Sequence, residues 1–144
     1  MSSQPAWIWN AALSALFAGA TAVIAKLGLS GINPDLATLV RTAFVLVFLT
    51  ILYLTLHGAP SGAQLTTRVT AMLALSALST ALSWLFYYRA IQVGPVASVA
   101  AIDKGSIIIT AVLAAVLLGE ALTARVIGGT LLVAGGLWLM TSHT

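Results

Sequence analysis

Apolar residues in this chain come in five long runs, and the polar residues gather in short intervals between them. The runs extend over about Trp7 to Leu29, Leu36 to Leu56, Val69 to Ala90, Val96 to Leu118 and Arg125 to Met140. Each approaches the ~20 residues that an α-helix, rising ~1.5 Å per residue, needs to cross the hydrocarbon core of a bilayer. Turn residues mark the intervals: Gly31, Asn33 and Pro34; His57 to Gly62 with Pro60; Gly94 and Pro95; and Gly119 to Thr123. Connections this short make successive helices antiparallel neighbours. Membrane strands would alternate polar and apolar residues at every second position. Stretches such as Leu73 to Leu78 and Val112 to Leu118 do not alternate, which argues against a barrel. The segment before the first run, Met1 to Ala6, has no Lys or Arg, and the run is longer than the about 7–15 residues of a signal-peptide core. It predicts a retained spanning helix.

Composition turns this pattern into a fold class. Of 144 residues, 60% are hydrophobic and 6% charged, and mean hydropathy is +1.09. Soluble domains carry about 25% charged residues, so a water-facing globule and a disordered chain are both excluded. The expectation is an all-α integral membrane protein with five transmembrane helices, a single domain over residues 1–144. The lipid bilayer is its surrounding partner. Trp7, Trp9 and Trp138 fall where interfaces should lie and read as aromatic anchors.

Several chemistries lose their residues. The chain has no cysteine, which removes disulfides, thiolate metal sites and cysteine nucleophiles. It has no His-Glu-x-x-His helix, no paired Asp dyad within a run and no Gly-rich phosphate loop, and His57 and His143 fall outside the runs. No metal, cofactor or enzymatic activity is expected. The net charge of +3 comes from six cations scattered singly, with no patch of the kind that grips nucleic acid.

The charges bear instead on orientation. With five spans, Arg68 and Arg125 lie on the side of the N-terminus; Lys26 and Arg89 lie on the other, where Arg41 and Lys104 sit deeper. The balance is two against two at the helix ends, or two against four with the deeper pair. The positive-inside rule therefore leans only slightly toward an external N-terminus. Such a chain can insert both ways and form an antiparallel homodimer; the alternative is a single orientation enforced by an insertion factor or a partner.

Polar residues on spanning helices turn toward protein or water. In the third run Ser76, Ser79, Thr80, Ser83 and Tyr87 share one face, with Trp84 beside them. Small hydroxyls arranged so line a cavity or let helices pack closely. On the first run Asn10, Ser14, Phe17 and Thr21 share a face, and Ala11, Ala15, Gly19, Ala22 and Lys26 form another. The second carries Thr38, Arg41 and Thr42. Arg41 lies seven residues past Pro34, roughly 10 Å along the axis. It either snorkels back or faces a cavity.

The fourth run contains Asp103 followed directly by Lys104 and Gly105. Adjacent helical residues point about 100° apart and do not pair on one face. Asp103 shares its face with Ser106 and Thr110, and either lines a substrate path, paired with Arg41 or Lys26, or belongs to a structural ion pair. On the last run, Gly128 and Gly129 recur seven residues later as Gly135 and Gly136. They form a flat strip for helix packing, within the chain or across a dimer.

The stretch Tyr88-Arg-Ala-Ile-Gln-Val-Gly-Pro-Val-Ala-Ser-Val-Ala-Ala-Ile-Asp103-Lys-Gly, the turn Leu118-Gly-Glu-Ala-Leu-Thr123 and the glycine-rich last helix resemble the EamA family of the drug/metabolite transporter superfamily. The Ile-Asp-Lys variant is similar to its half-size bacterial members. Lys26 and Arg41 also sit where the family often has such residues, and the resemblance spans nearly the whole chain, strongest from Ser83 onward. It implies one half of an inverted-repeat transporter, completed by an antiparallel second copy, with alternating access around a cavity lined by the first four helices. It also implies structural, capping roles for Glu120 and Thr123. The related small multidrug resistance proteins depend on a Glu in their first helix, which this chain lacks.

The expected function is therefore transport of a small metabolite or drug across the cell's inner membrane. The substrate contacts are expected from Asn10, Ser14, Thr21, Arg41, Ser76, Ser79, Thr80, Ser83, Trp84, Tyr87, Asp103, Lys104, Ser106 and Thr110. Buried cations outnumbering the one buried acid favour an anionic or zwitterionic solute. The competing reading is a non-transporting assembly subunit that docks through its glycine strip.

Overall fold

The computed structural model describes residues 6–59 and 65–142. The expected turn residues Pro60 to Gly62, the residues before Ala6, and His143 lie outside the described residues. The described part is helical throughout: α1 Ala6–Gly28, α2 Pro34–His57, α3 Thr67–Val93, α4 Val96–Lys104, α5 Ser106–Leu118 and α6 Ala124–Thr141. Counting α4 and α5 together, five helical segments are long and apolar enough to cross a membrane.

Local chemistry sets the helix ends where the turn residues predicted them. Asn33 caps α2, its side-chain oxygen accepting from the backbone N–H of Asp35 at 2.8 Å and of Leu36 at 3.3 Å. Pro34 follows at the first helical position, where its missing N–H costs nothing. The helix runs through His57, one residue past the predicted Leu56, and the His57 ring stacks on Tyr53 at 5.0 Å. α5 ends at Gly119, whose φ of 70° is open to glycine and strained for other residues. There the N–H of Glu120 reaches the Ala114 carbonyl at 3.2 Å, closing the last turn. Thr123 caps α6 by accepting from Val126 N–H at 3.3 Å. The capping expected of this turn thus falls to the Thr123 side chain and the Glu120 backbone.

One break was not predicted. The fourth span is interrupted at Gly105, whose N–H bonds to Ile102 carbonyl, three residues back, at 2.9 Å. This tightened turn separates α4 from α5.

The chain divides into two compact units, Ala25–Gln92 and Met1–Ile24 with Val93–Thr144. In the second of these, α6 packs against both α4 and α5, and a Cβ on Gly105 would come within 3.5 Å of Leu137. In the unit Ala25–Gln92, Leu29, Thr38, Tyr88 and Ile91 are buried. These residues belong to the level where the α1–α2 turn, the start of α2 and the end of α3 meet. Toward their other ends, α2 from Leu46 and α3 up to Ser83 are exposed. Most large apolar side chains are likewise exposed, Leu132 at 80% and Phe17 at 67% among them. In water that surface would drive aggregation; in a bilayer it is the correct one.

Candidate functional site

Helices α2 and α3 flank a groove of about 590 Å³. From α2 it is lined by Asp35, Thr38, Leu39, Thr42, Val45, Leu46 and Leu49, and from α3 by Leu73, Ser76, Ala77, Thr80, Ala81, Trp84 and Leu85. At ~1.5 Å per residue the α2 wall runs for about 21 Å. The α3 contribution is the predicted polar stripe, narrowed: Ser76, Thr80 and Trp84 face the groove. Ser79 and Ser83 do not line it. The ring of Tyr87 lies 6.5 Å from that of Tyr88.

The three groove threonines are already committed as donors. Thr38 Oγ1 donates to the Pro34 carbonyl at 2.8 Å, Thr42 to Thr38 at 2.7 Å and Thr80 to Ser76 at 3.0 Å. Each bond runs back one turn along its own helix. With the proton directed to the backbone, the oxygen lone pairs remain to accept from a bound molecule. The threonine wall therefore offers acceptors.

Arg41 supplies the opposite chemistry. Its guanidinium lies over the Trp84 indole, 4.2 Å from the ring centroid, and 5.8 Å from the Tyr88 ring. Both are cation–π distances, Trp giving the stronger attraction. Nη1 is buried and, among the described residues, has no hydrogen-bond partner. Arg41 itself does not line the groove; Trp84 does, and stacks on the arginine.

Polar contacts gather around the Asp35 end of the groove. The Asp35 carboxylate accepts two bonds from Arg89, from Nε and Nη2, each 2.7 Å, the planar fork-to-fork pairing of guanidinium with carboxylate. Gln92 Nε2 donates to the Ile32 carbonyl at 2.7 Å. Lys26 Nζ donates to the carbonyls of Ile91 and Gln92, the latter at 3.0 Å. A cation there also meets the negative end of the α3 dipole. Reading of the sequence missed Asp35 and Gln92, and took Arg89 only as an orientation charge. The signal was present: α2 begins and α3 ends on the same side of the membrane, so Asp35 and Arg89 must lie at one level.

The other expected site residues belong to the unit containing α4 to α6. Asn10 and Ser14 are exposed on α1, and Thr21 Oγ1 donates to the Phe17 carbonyl at 2.8 Å. Lys104 Nζ reaches Asp103 Oδ2 at 3.4 Å. Neighbouring residues do meet here, because the long lysine stem folds back to the carboxylate. Ser106 and Thr110 are exposed on α5. Gly128, Gly129, Gly135 and Gly136 are exposed, and a Cβ added at any of them would meet nothing within 4 Å. Among the described residues, no group of three or more His, Cys, Asp or Glu is placed to hold a metal ion.

Comparison with known proteins adds to this geometry. The EamA-like transporter family matches residues 5–142. A Sinorhizobium sp. protein, named as an uncharacterized transporter in the cobO 3' region, is 39% identical over 134 residues, covering 93% of this chain and 95% of that protein. No solved structure matches the chain.

Proposed function

This chain belongs to the EamA-like transporter family, and from that premise we propose that it moves a small metabolite or drug by alternating access, as an antiparallel homodimer in the cell's inner membrane. The observation that carries the reading is the groove between α2 and α3. It is polar along part of its walls, carries the Asp35–Arg89 pair at one end, and is flanked at the other by exposed helix. If that pair seals the cleft on one side of the membrane, it supplies one state of an alternating-access cycle.

The same groove supports the homodimer reading. A surface carrying Asp35, Thr38, Thr42, Ser76 and Thr80 is a poor neighbour for acyl chains. A second copy covers it and completes the cavity, and inverted halves supply the two access states. The exposed glycine strip of α6 is available to bring the helices of two copies close. The same strip would serve the competing reading, in which the chain docks onto another membrane protein and transports nothing.

Thiol labelling separates the two. The chain has no native cysteine, so background is nil. Ser76→Cys and Thr80→Cys should react with a water-soluble thiol reagent in membranes, while Leu78→Cys should not. The same proteins in liposomes should exchange a labelled solute above empty-vesicle background. Unreactive groove cysteines together with no flux across a panel of amino acids, organic acids, sugars and organic cations would sink the transporter mechanism.

A further inference from the structure

A buried guanidinium nitrogen without a hydrogen-bond partner is costly, because water or an acceptor has been stripped from a charged donor. In Arg41 that nitrogen is Nη1. The stacked Trp84 ring satisfies the charge but offers no acceptor for the N–H. A carboxylate would do both, and its charge-assisted bonds to the planar fork outweigh a cation–π contact. The covering ring is itself half-buried and borders the groove.

We propose that Trp84 is a displaceable lid over Arg41, and that the pair forms an oxyanion subsite on the α2–α3 groove for an organic carboxylate with an apolar body. This rests on the transport reading above and names its substrate class. The rest of the groove fits such a solute. Leu39, Val45, Leu46, Leu49 and Leu73 offer apolar surface. The committed threonine oxygens accept from any hydroxyl or amine the solute carries. The Asp35 carboxylate at the end of the groove is already paired with Arg89, whose charge offsets its own.

Trp84 reports its own displacement. The chain has four tryptophans, and replacing Trp7, Trp9 and Trp138 by Phe leaves Trp84 as the sole indole. In phosphatidylcholine nanodiscs at neutral pH, hexanoate should change Trp84 emission saturably, with half-saturation at least tenfold lower than for hexanamide, its uncharged counterpart. Arg41→Gln should abolish the response. Arg41→Lys, which keeps the charge and removes the fork, should weaken it severalfold, so the result does not depend on one variant folding. Inorganic phosphate should compete only weakly, lacking the apolar body. Acid and amide acting alike, no saturable response, or a response unchanged in Arg41→Gln would overturn the proposal. So would phosphate matching hexanoate, or phosphatidylglycerol in the disc producing the change and blocking hexanoate, which would place a small oxyanion or a lipid headgroup there. Reactive groove cysteines with solute flux but no hexanoate response would reject this subsite and leave the transport reading standing.

Discussion

Asp35 and Arg89 pair with good geometry, yet both side chains remain exposed, at 42% and 48%. Exposed pairs contribute little to stability, because solvent screens them and both side chains lose freedom. Their consequence is positional: a two-bond clasp between the start of α2 and the end of α3, at the Asp35 end of the groove. Asp35→Asn should therefore leave the unfolding midpoint in detergent nearly unchanged while opening that end. Thr38 beside it is buried, and Thr38→Cys should label severalfold faster from that side in the Asp35→Asn background. The exchanged pair Asp35→Arg with Arg89→Asp should restore slow labelling. Unaltered labelling in Asp35→Asn would show that the clasp does not seal the groove. Arg41 and Lys26 make the complementary point that a cation in a span needs an identifiable environment, here aromatic faces for one and helix-end carbonyls for the other.

Among the elements, the fourth span differs most from expectation. Its apolar run predicts one continuous helix, and a glycine within such a run is usually tolerated with a modest loss of helix propensity. At Gly105 the backbone tightens instead, and a Cβ there would sit 2.9 Å from the Ile102 carbonyl oxygen. Asp103 and Lys104 immediately precede this break, and helix discontinuities within membranes commonly accompany functional sites. Gly105→Ala must displace backbone, because the atom it meets is not a movable side-chain tip. It should destabilise the protein by about 1–3 kcal/mol, the usual range for overpacking, read as a lower unfolding midpoint in a denaturing-detergent titration. Gly19→Ala meets open space and should not lower that midpoint. A Gly105→Ala protein as stable as the parent would mean the break is not held by this close approach.

For the molecule as a whole, five spans place the two termini on opposite sides of the membrane, and the cations at the helix ends scarcely favour one orientation. The homodimer reading predicts that a cysteine appended at the C-terminus labels from both sides of sealed membranes, in two populations of comparable size. Labelling from one side alone would leave the chain without an antiparallel copy of itself. The spans and their turns were legible because bilayer thickness, helix rise and the conformational demands of Pro, Gly and Asn act locally: Asn33-Pro34, Gly94-Pro95 and Gly119 to Thr123 each mark a boundary without reference to the rest of the chain. The third-run stripe was also legible, since helical periodicity alone puts Ser76 and Thr80 on one face. What sequence could not supply were meetings between residues distant along the chain: Asp35 with Arg89, Arg41 with Trp84 and Tyr88, and Lys26 with the end of α3. These depend on helix rotation and level within the packed unit, which no local periodicity fixes. For the same reason the stripe could not be divided into Ser76, Thr80 and Trp84 on the groove and Ser79 and Ser83 off it. Sequence determined that the chain is a five-span membrane protein, because transfer of each run into lipid is a local free energy; tertiary structure decided which charges pair and which hydroxyls face the groove, because those energies arise only where helices meet.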